Sequence, residues 1–168
     1  MIYITPVDFS SPQHQIDFWK LLNMYATDLM GGGNPIDARL QQKLYTDLQS
    51  SPIAYSFLAY DENKLPVGLL NSFLGYSTFN AAPLLNIHDL LVHPEYRGKG
   101  IAKQLMRAAE NQAKDLGCCK LTLEVLENNA VALGLYFSLG FNSYELDPAA
   151  GKALFLDKKV EGIHVDRS

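Results

Sequence analysis

The sequence predicts a mixed α/β protein, a sheet flanked by helices with a strand–helix–strand unit around a glycine turn. Three observations predict it. The patterns run strand, two helices, three strands, helix, strand, helix, two strands. The apolar strand Leu84–Val92 passes His93-Pro94, reaches Arg97-Gly98-Lys99-Gly100 and continues straight into a helix. The 168 residues hold no repeat, low-complexity tract or linker, so one domain over 1–168 is expected.

Each element has a local cause. Ile2–Val7 alternates as a first strand. Ser10-Ser11-Pro12 offers a hydroxyl cap and a first-turn proline, and Ile16, Trp19, Leu22 and Leu29 recur at helical spacing to Met30. Gly31-Gly32-Gly33 stops that helix as a flexible loop. Asn34-Pro35 starts a second helix with Leu40, Leu44 and Leu48 inward, ended by Ser50-Ser51-Pro52. Ala54–Tyr60 and Val67–Tyr76 form a hairpin across Asp61–Lys64. After Leu84–Val92, a helix carries Ile101, Leu105, Ala108, Ala109, Ala113 and Leu116 on one face and ends at Gly117. Lys120–Leu126 is a strand, and Ala130–Leu139 a helix stopped by Gly140. Phe141–Glu145 and Ala153–Lys158 are two closing strands.

Composition narrows the function. A net charge of −4 without a basic block argues against nucleic-acid binding. No apolar run reaches membrane-spanning length, and the N-terminus lacks a signal-peptide pattern. Adjacent Cys118 and Cys119 are poorly placed for a mutual disulfide and read as reduced thiols of a cytoplasmic protein. No metal set is expected.

The glycine turn carries the chemistry. Gly98, Gly100 and Ala102 allow a ligand close to the backbone. The first helix amides beyond them have no intrahelical partner and carry the positive end of the dipole, which suits a pyrophosphate. The spacing is neither a dinucleotide fingerprint nor a P-loop. The pattern Arg97-x-x-Gly100-x-Ala102 after Val92-His93-Pro94 resembles the acetyl-CoA signature of the GNAT superfamily of N-acetyltransferases. Asn129-x-x-Ala132-x-x-Leu135-Tyr136 before Gly140-Phe141 is similar to that family's second block. The two blocks cover residues 84–142, and the likeness leans to diamine (spermidine/spermine) acetyltransferases.

The resemblance implies the GNAT fold: a mostly antiparallel sheet of six or seven strands, four helices, and acetyl-CoA in a V between splayed central strands. It implies that Leu90, Leu91 and Val92 pair with the pantetheine arm. Arg97, Gly98, Lys99, Gly100, Ile101, Ala102 and Lys103 would wrap the pyrophosphate, so a bulky residue at Gly100 should block the approach. Asn129 would bond pantetheine or, as a favoured cap residue, start the last helix. Many relatives are homodimers, and pairing is the expectation here.

Acetyl transfer to an amine needs three things. The amine must lose a proton, since an alkylammonium is only about one part in a thousand neutral at pH 7. The carbonyl must be polarised, and the leaving thiolate protonated. The resemblance makes Tyr136 the general acid; by spacing alone an aromatic core contact beside Leu133, Phe137 and Phe141 is the better reading. It also marks His88 as the base, often through water, and imidazole suits that work; the alternative is a pocket histidine that moves no proton. In an undistorted strand Asn86, His88 and Leu90 share one side and Asp89 faces the other.

Substrate contacts are expected from Tyr25, Asp28, Asp89 and Glu124, the last on the strand facing Leu84–Val92. With Asp37, Tyr76 and Phe79 in the same region, this mixture of aromatics and acids suits a small amine, a diamine, polyamine or amino-acid-like molecule. Departures from the diamine pattern are His88 in place of the usual Glu and the triple glycine. The leading reading is an acetyl-CoA-dependent acyltransferase that acts by direct transfer in a ternary complex. A peptide or protein N-acetyltransferase and a non-catalytic acyl-CoA-binding module are the alternatives.

Overall fold

The computed structural model describes residues 1–144, 149, 153–158 and 160, and divides into two compact units, Met1–Leu123 and Glu124–Ser168. The first holds strands β1 (Tyr3–Pro6), β2 (Ala54–Tyr60), β3 (Pro66–Ser77), β4 (Ala82–Val92) and β5 (Leu121–Leu123), with helices α1 (Pro12–Thr27), α2 (Gln41–Ser50) and α3 (Ile101–Asp115). The sheet order is β1-β2-β3-β4-β5. Its first four strands pair antiparallel, and β4 pairs parallel with β5. The parallel pair follows from chemistry: a strand that returns alongside its predecessor needs a crossover, and α3 supplies it.

One face of the sheet packs on α1 and α2. Leu58, Leu69 and Leu91 lie there with Phe9, Phe18, Leu21 and Tyr45. Phe18 and Leu21 are fully buried, each worth about 1.5–3 kcal/mol by transfer. The other face meets α3: a Cβ on Gly68 of β3 would stand 3.0 Å from a Leu105 methyl. Ile101, Leu105, Met106, Ala109 and Ala113 are the buried face of α3, close to the stripe read from its sequence.

The first two helices differ from that reading. Ser11 caps α1 and Pro12 opens it, as expected. The buried residues are Asp17, Phe18 and Leu21, whereas Ile16 and Leu29 are exposed. Asp17 is accommodated because Gln13 Nε2 (3.0 Å) and Tyr60 Oη (2.8 Å) both donate to its carboxylate. Burial first, then that bond, pushes the Tyr60 phenol well above its usual range. A buried acid with two donors is invisible to an apolar-periodicity count.

Helix α1 stops at Thr27, and Leu29–Gly31 forms a separate 3-10 turn. The triple glycine is not a slack loop. Gly33 and Asn34 amides donate to Asp28 and Ala26 carbonyls. A Cβ at Gly31 would lie 1.9 Å from the Tyr25 carbonyl oxygen, so only glycine fits. Helix α2 begins at Gln41, not at Asn34, after a 3-10 turn at Ala38–Leu40 capped by Asp37. Its buried residue is Tyr45, with Leu44 and Leu48 partly buried beside it.

The second unit contains helix α4 (Ala130–Ser138). Among the described residues there are five strands, against the expected six or seven. Residues 141–144 and 153–158 form no strand, and Glu145 lies outside the described residues. No helix among the described residues is long and apolar enough to cross a membrane. Cys118 and Cys119 are free thiols, and burial pushes the Cys118 thiol up.

The acid limit of stability is legible in four aspartates. Hydrogen bonds from Ser10 to Asp8, from the Met30 amide to Asp28, from Arg39 to Asp37 and from the Leu65 amide to Asp61 each hold a carboxyl below its ordinary value. A depressed folded value means that the unfolded chain binds more protons, so stability rises with pH there. Their contribution is complete above about pH 4 and is lost as pH falls through the folded values. Asp61→Asn has no carboxylate to protonate. Its denaturant midpoint should therefore fall less steeply below pH 4 than that of the wild type, and parallel slopes would contradict this.

Candidate active site

The register of β4 against β3 places the first site residues. Asn71 pairs with Asp89 and Ser72 with Ile87, which leaves His88 as an extra residue. A bulge of this kind shifts the facing of the side chains beyond it. Asn86 pairs with Phe73 and Leu90 with Leu70, and these partners lie three apart on β3. Asn86 and Leu90 therefore point to opposite faces, which corrects the undistorted alternation. Asp89 joins Asn71 on the α1 side, where Asn71 Nδ2 donates to its Oδ2 at 2.9 Å. His88 is exposed, and its ring meets Phe73, also on that side, edge-on at 5.4 Å. The bulge thus brings His88 and Asp89 to one face.

The split of the sheet begins at the same point. Strand β5 pairs with β4 only over Leu85–Ile87, against Leu121–Leu123. Among the described residues, the β4 edge on that side has no ladder partner from His88 to Val92. Leu90, Leu91 and Val92 lie along that edge.

At the end of that edge lies the glycine turn. A 3-10 turn at Pro94–Tyr96 leads to Gly98 and Gly100, both at φ +76°. Gly100 precedes α3, and no side chain caps that helix. A Cβ on either glycine would meet nothing within 4 Å, so the space in front is open. The demand for glycine here comes from the backbone conformation. Gly100→Ala should cost about 1–2 kcal/mol in unfolding free energy, and Gly100→Val should in addition weaken anion binding by intruding into that space. An unchanged urea midpoint for the Ala variant would refute the first part.

Side chains around the turn are partly engaged. Arg97 Nε donates to the Val92 carbonyl (3.2 Å), and its Nη2 donates to Asp28 Oδ2 at 3.3 Å. Lys99 Nζ lies 4.6 Å from the Tyr96 ring centroid. Lys103 is exposed on the first turn of α3. Asp28 caps Met30 with its other oxygen (3.0 Å). Tyr25 is half-buried, and burial first, then the charges of Asp89 and Asp28, raises its phenol. Tyr25, Asp28 and Asp89 thus lie near enough for both carboxylates to act on the phenol.

In the second unit, Asn129 Oδ1 accepts from the Ala132 amide at 3.1 Å, so Asn129 caps α4. Tyr136 is the buried residue of α4, and its ring lies 5.8 Å from Phe141. Glu124 follows the end of β5 at Leu123 and is not on a strand, which corrects its expected position. Sequence reasoning missed Asn71, although a lone amide inside Val67–Leu74 was a signal. It also missed Asp61 and Tyr96, which bond at 2.9 Å.

Comparison with known proteins places this architecture. The model of the acetyltransferase (GNAT) family matches residues 18–141, and the chain belongs to that family. It is 38% identical over 68 residues to a thialysine N-epsilon-acetyltransferase of Bos taurus, covering 40% of this chain and 39% of that protein. It is 40% identical over 91 residues to the streptothricin acetyltransferase of Streptomyces lavendulae, covering 54% and 45%. The matched parts are thus less than half of either relative's length. An aminoglycoside N(6')-acetyltransferase of Acinetobacter genomosp. 13 is 28% identical over 114 residues, covering 65% and 75%. Among solved structures, AAC(6')-Iy with a bisubstrate analogue superposes with a TM-score of 0.76 at 16% identity, covering 95% and 99%. An aminoglycoside acetyltransferase from an uncultured soil sample, in complex with sisomicin, gives 0.76 at 19%, covering 95% and 97%. These likenesses show the fold.

Proposed function

We propose that the protein transfers the acetyl group of acetyl-CoA to a primary amine of a small molecule, a diamine, polyamine or amino-acid-like acceptor, by direct transfer in a ternary complex. The observation that carries this reading is the unpaired β4 edge running straight into a glycine turn and an uncapped helix. The residues fit the cofactor: an amide-bearing arm suits the Leu90–Val92 edge, and phosphates suit open amides between Gly98 and Lys103. Acetyl-CoA supplies the activated acyl group as a thioester. The chain's own residues do the rest.

On the motif resemblance, Tyr136 would give a proton to the departing sulfur. His88 takes the proton from the acceptor nitrogen, directly or through one water. Asp89, Asp28 and Tyr25 hold the acceptor's ammonium groups, since two carboxylates around a half-buried phenol favour a cation. The sequence also nominates Glu124 for the acceptor, and Asn129 fixes the start of α4. The three relatives are named as acetyltransferases of thialysine, streptothricin and aminoglycosides, which supports a small-molecule acceptor. We extend the reading to a cytoplasmic homodimer, following the family habit; light scattering at a single chain mass would refute the pairing.

The test is thiol release from acetyl-CoA by the purified protein against diamines, polyamines, amino acids, aminoglycosides and short peptides. Release with a small amine is the expected result. Release with peptides alone overturns the acceptor class. Silence across the panel despite tight acetyl-CoA binding overturns the catalytic reading in favour of a binding module.

A further inference from the structure

Tyr96 has no part in the chemistry above, yet it joins the glycine turn to a distant hairpin. Its hydroxyl donates to Asp61 Oδ2 at 2.9 Å. Asp61 is only 7% exposed, in the turn between β2 and β3. Its Oδ1 accepts the amides of Asn63 and Leu65, each at 2.9 Å, so the carboxylate is fixed before Tyr96 meets it. The Lys99 ammonium lies over one side of the Tyr96 ring, and His93 meets the ring edge-on at 5.8 Å. The His93 amide donates to the Val67 carbonyl, which ties the start of the same loop to β3.

The loop needs such a tie. Residues 97–100 are exposed, and two of the four are glycines, which lose the most freedom when ordered. A cradle that must be ordered by its ligand binds weakly, and one already ordered binds tightly. We infer that Asp61 and Tyr96 form a latch by which the β2–β3 turn pre-shapes the phosphate loop, making both of them positioning residues for coenzyme A. This rests on the proposed placement of the pyrophosphate at Gly98–Lys103. Tyr96 also sets the position of the Lys99 charge at that loop through the cation–π contact.

The test measures coenzyme A binding by calorimetry on the full chain. Tyr96→Phe keeps the ring beneath Lys99 and loses the charge-assisted hydrogen bond. Its affinity should fall about tenfold, the scale of such a bond. Tyr96→Leu loses the ring as well and should fall further. Asp61→Asn keeps an acceptor for the turn amides and a polar partner for the hydroxyl, and should stay within about threefold of wild type. Turnover at saturating acetyl-CoA should be unchanged in all three. Acetyl-pantetheine, which lacks the pyrophosphate, should be used equally by wild type and variants. Wild-type affinity in Tyr96→Phe overturns the latch. So does an equal loss towards coenzyme A and acetyl-pantetheine, which would mark a general structural defect. A wild type that binds no coenzyme A fails differently: it removes the phosphate-loop reading itself, and the latch with it.

Discussion

Tyr136→Phe is expected to turn over about 10²-fold more slowly than wild type while binding acetyl-CoA with unchanged affinity. The change removes one oxygen and keeps the ring that packs 5.8 Å from Phe141, so the helix should stay intact. The expected loss is that of a proton donor to a departing thiolate. A kcat that falls while the dissociation constant for acetyl-CoA holds marks an interaction made only on the way to the transition state. Tyr136→Leu supplies the contrast, because it loses packing as well and should lower the melting temperature. A Phe variant that turns over at the wild-type rate would leave Tyr136 as a core aromatic and remove it from the mechanism.

The second large effect is expected at His88. His88→Ala should lower kcat/KM for the amine about 10²-fold and flatten the acidic limb of the pH–rate profile. The bulge in β4 is the reason to expect it. It sets the imidazole beside Asp89 on one face, against the edge of Phe73, where neighbouring carboxylates can steer an ammonium towards it. His88→Gln separates two roles: it offers hydrogen bonds but takes no proton at working pH. If Gln restores most of the rate, His88 only positions the acceptor. If Gln and Ala are equally slow, His88 moves the proton. An unaltered acidic limb in both would assign the base role to another group or to water.

The carboxylates around Tyr25 show why site residues are easier to nominate than to arrange. Tyr25 and Asp28 come from the end of α1, and Asp89 comes from β4. Their residue types suited an amine on sequence grounds. Only the packing of α1 on the sheet showed that both charges act on one phenol. The Arg97–Asp28 contact has the same lesson, since it joins a residue read as a cofactor ligand to one read as an acceptor ligand.

The sequence by itself determined the order of the main elements from β1 to α4, the hairpin at Asp61–Lys64, the glycine turn into α3 and the cap at Asn129. Each of these rests on local chemistry: a conformation that glycine adopts cheaply, a side-chain oxygen that takes an orphan amide, an apolar face at helical spacing. Membership of the acetyltransferase family was legible for the same reason, because its motifs are contiguous. Tertiary structure decided the rest. Which stripe of α1 is buried depended on partners for Asp17 that lie on another turn and on β2. The length of β5 depended on where it parts from β4. The facing of His88 and Asp89 depended on one extra residue against β3, and the tie between Asp61 and Tyr96 spans 35 positions. Register and long-range hydrogen bonds are agreements between segments far apart in the chain, and no single segment carries them.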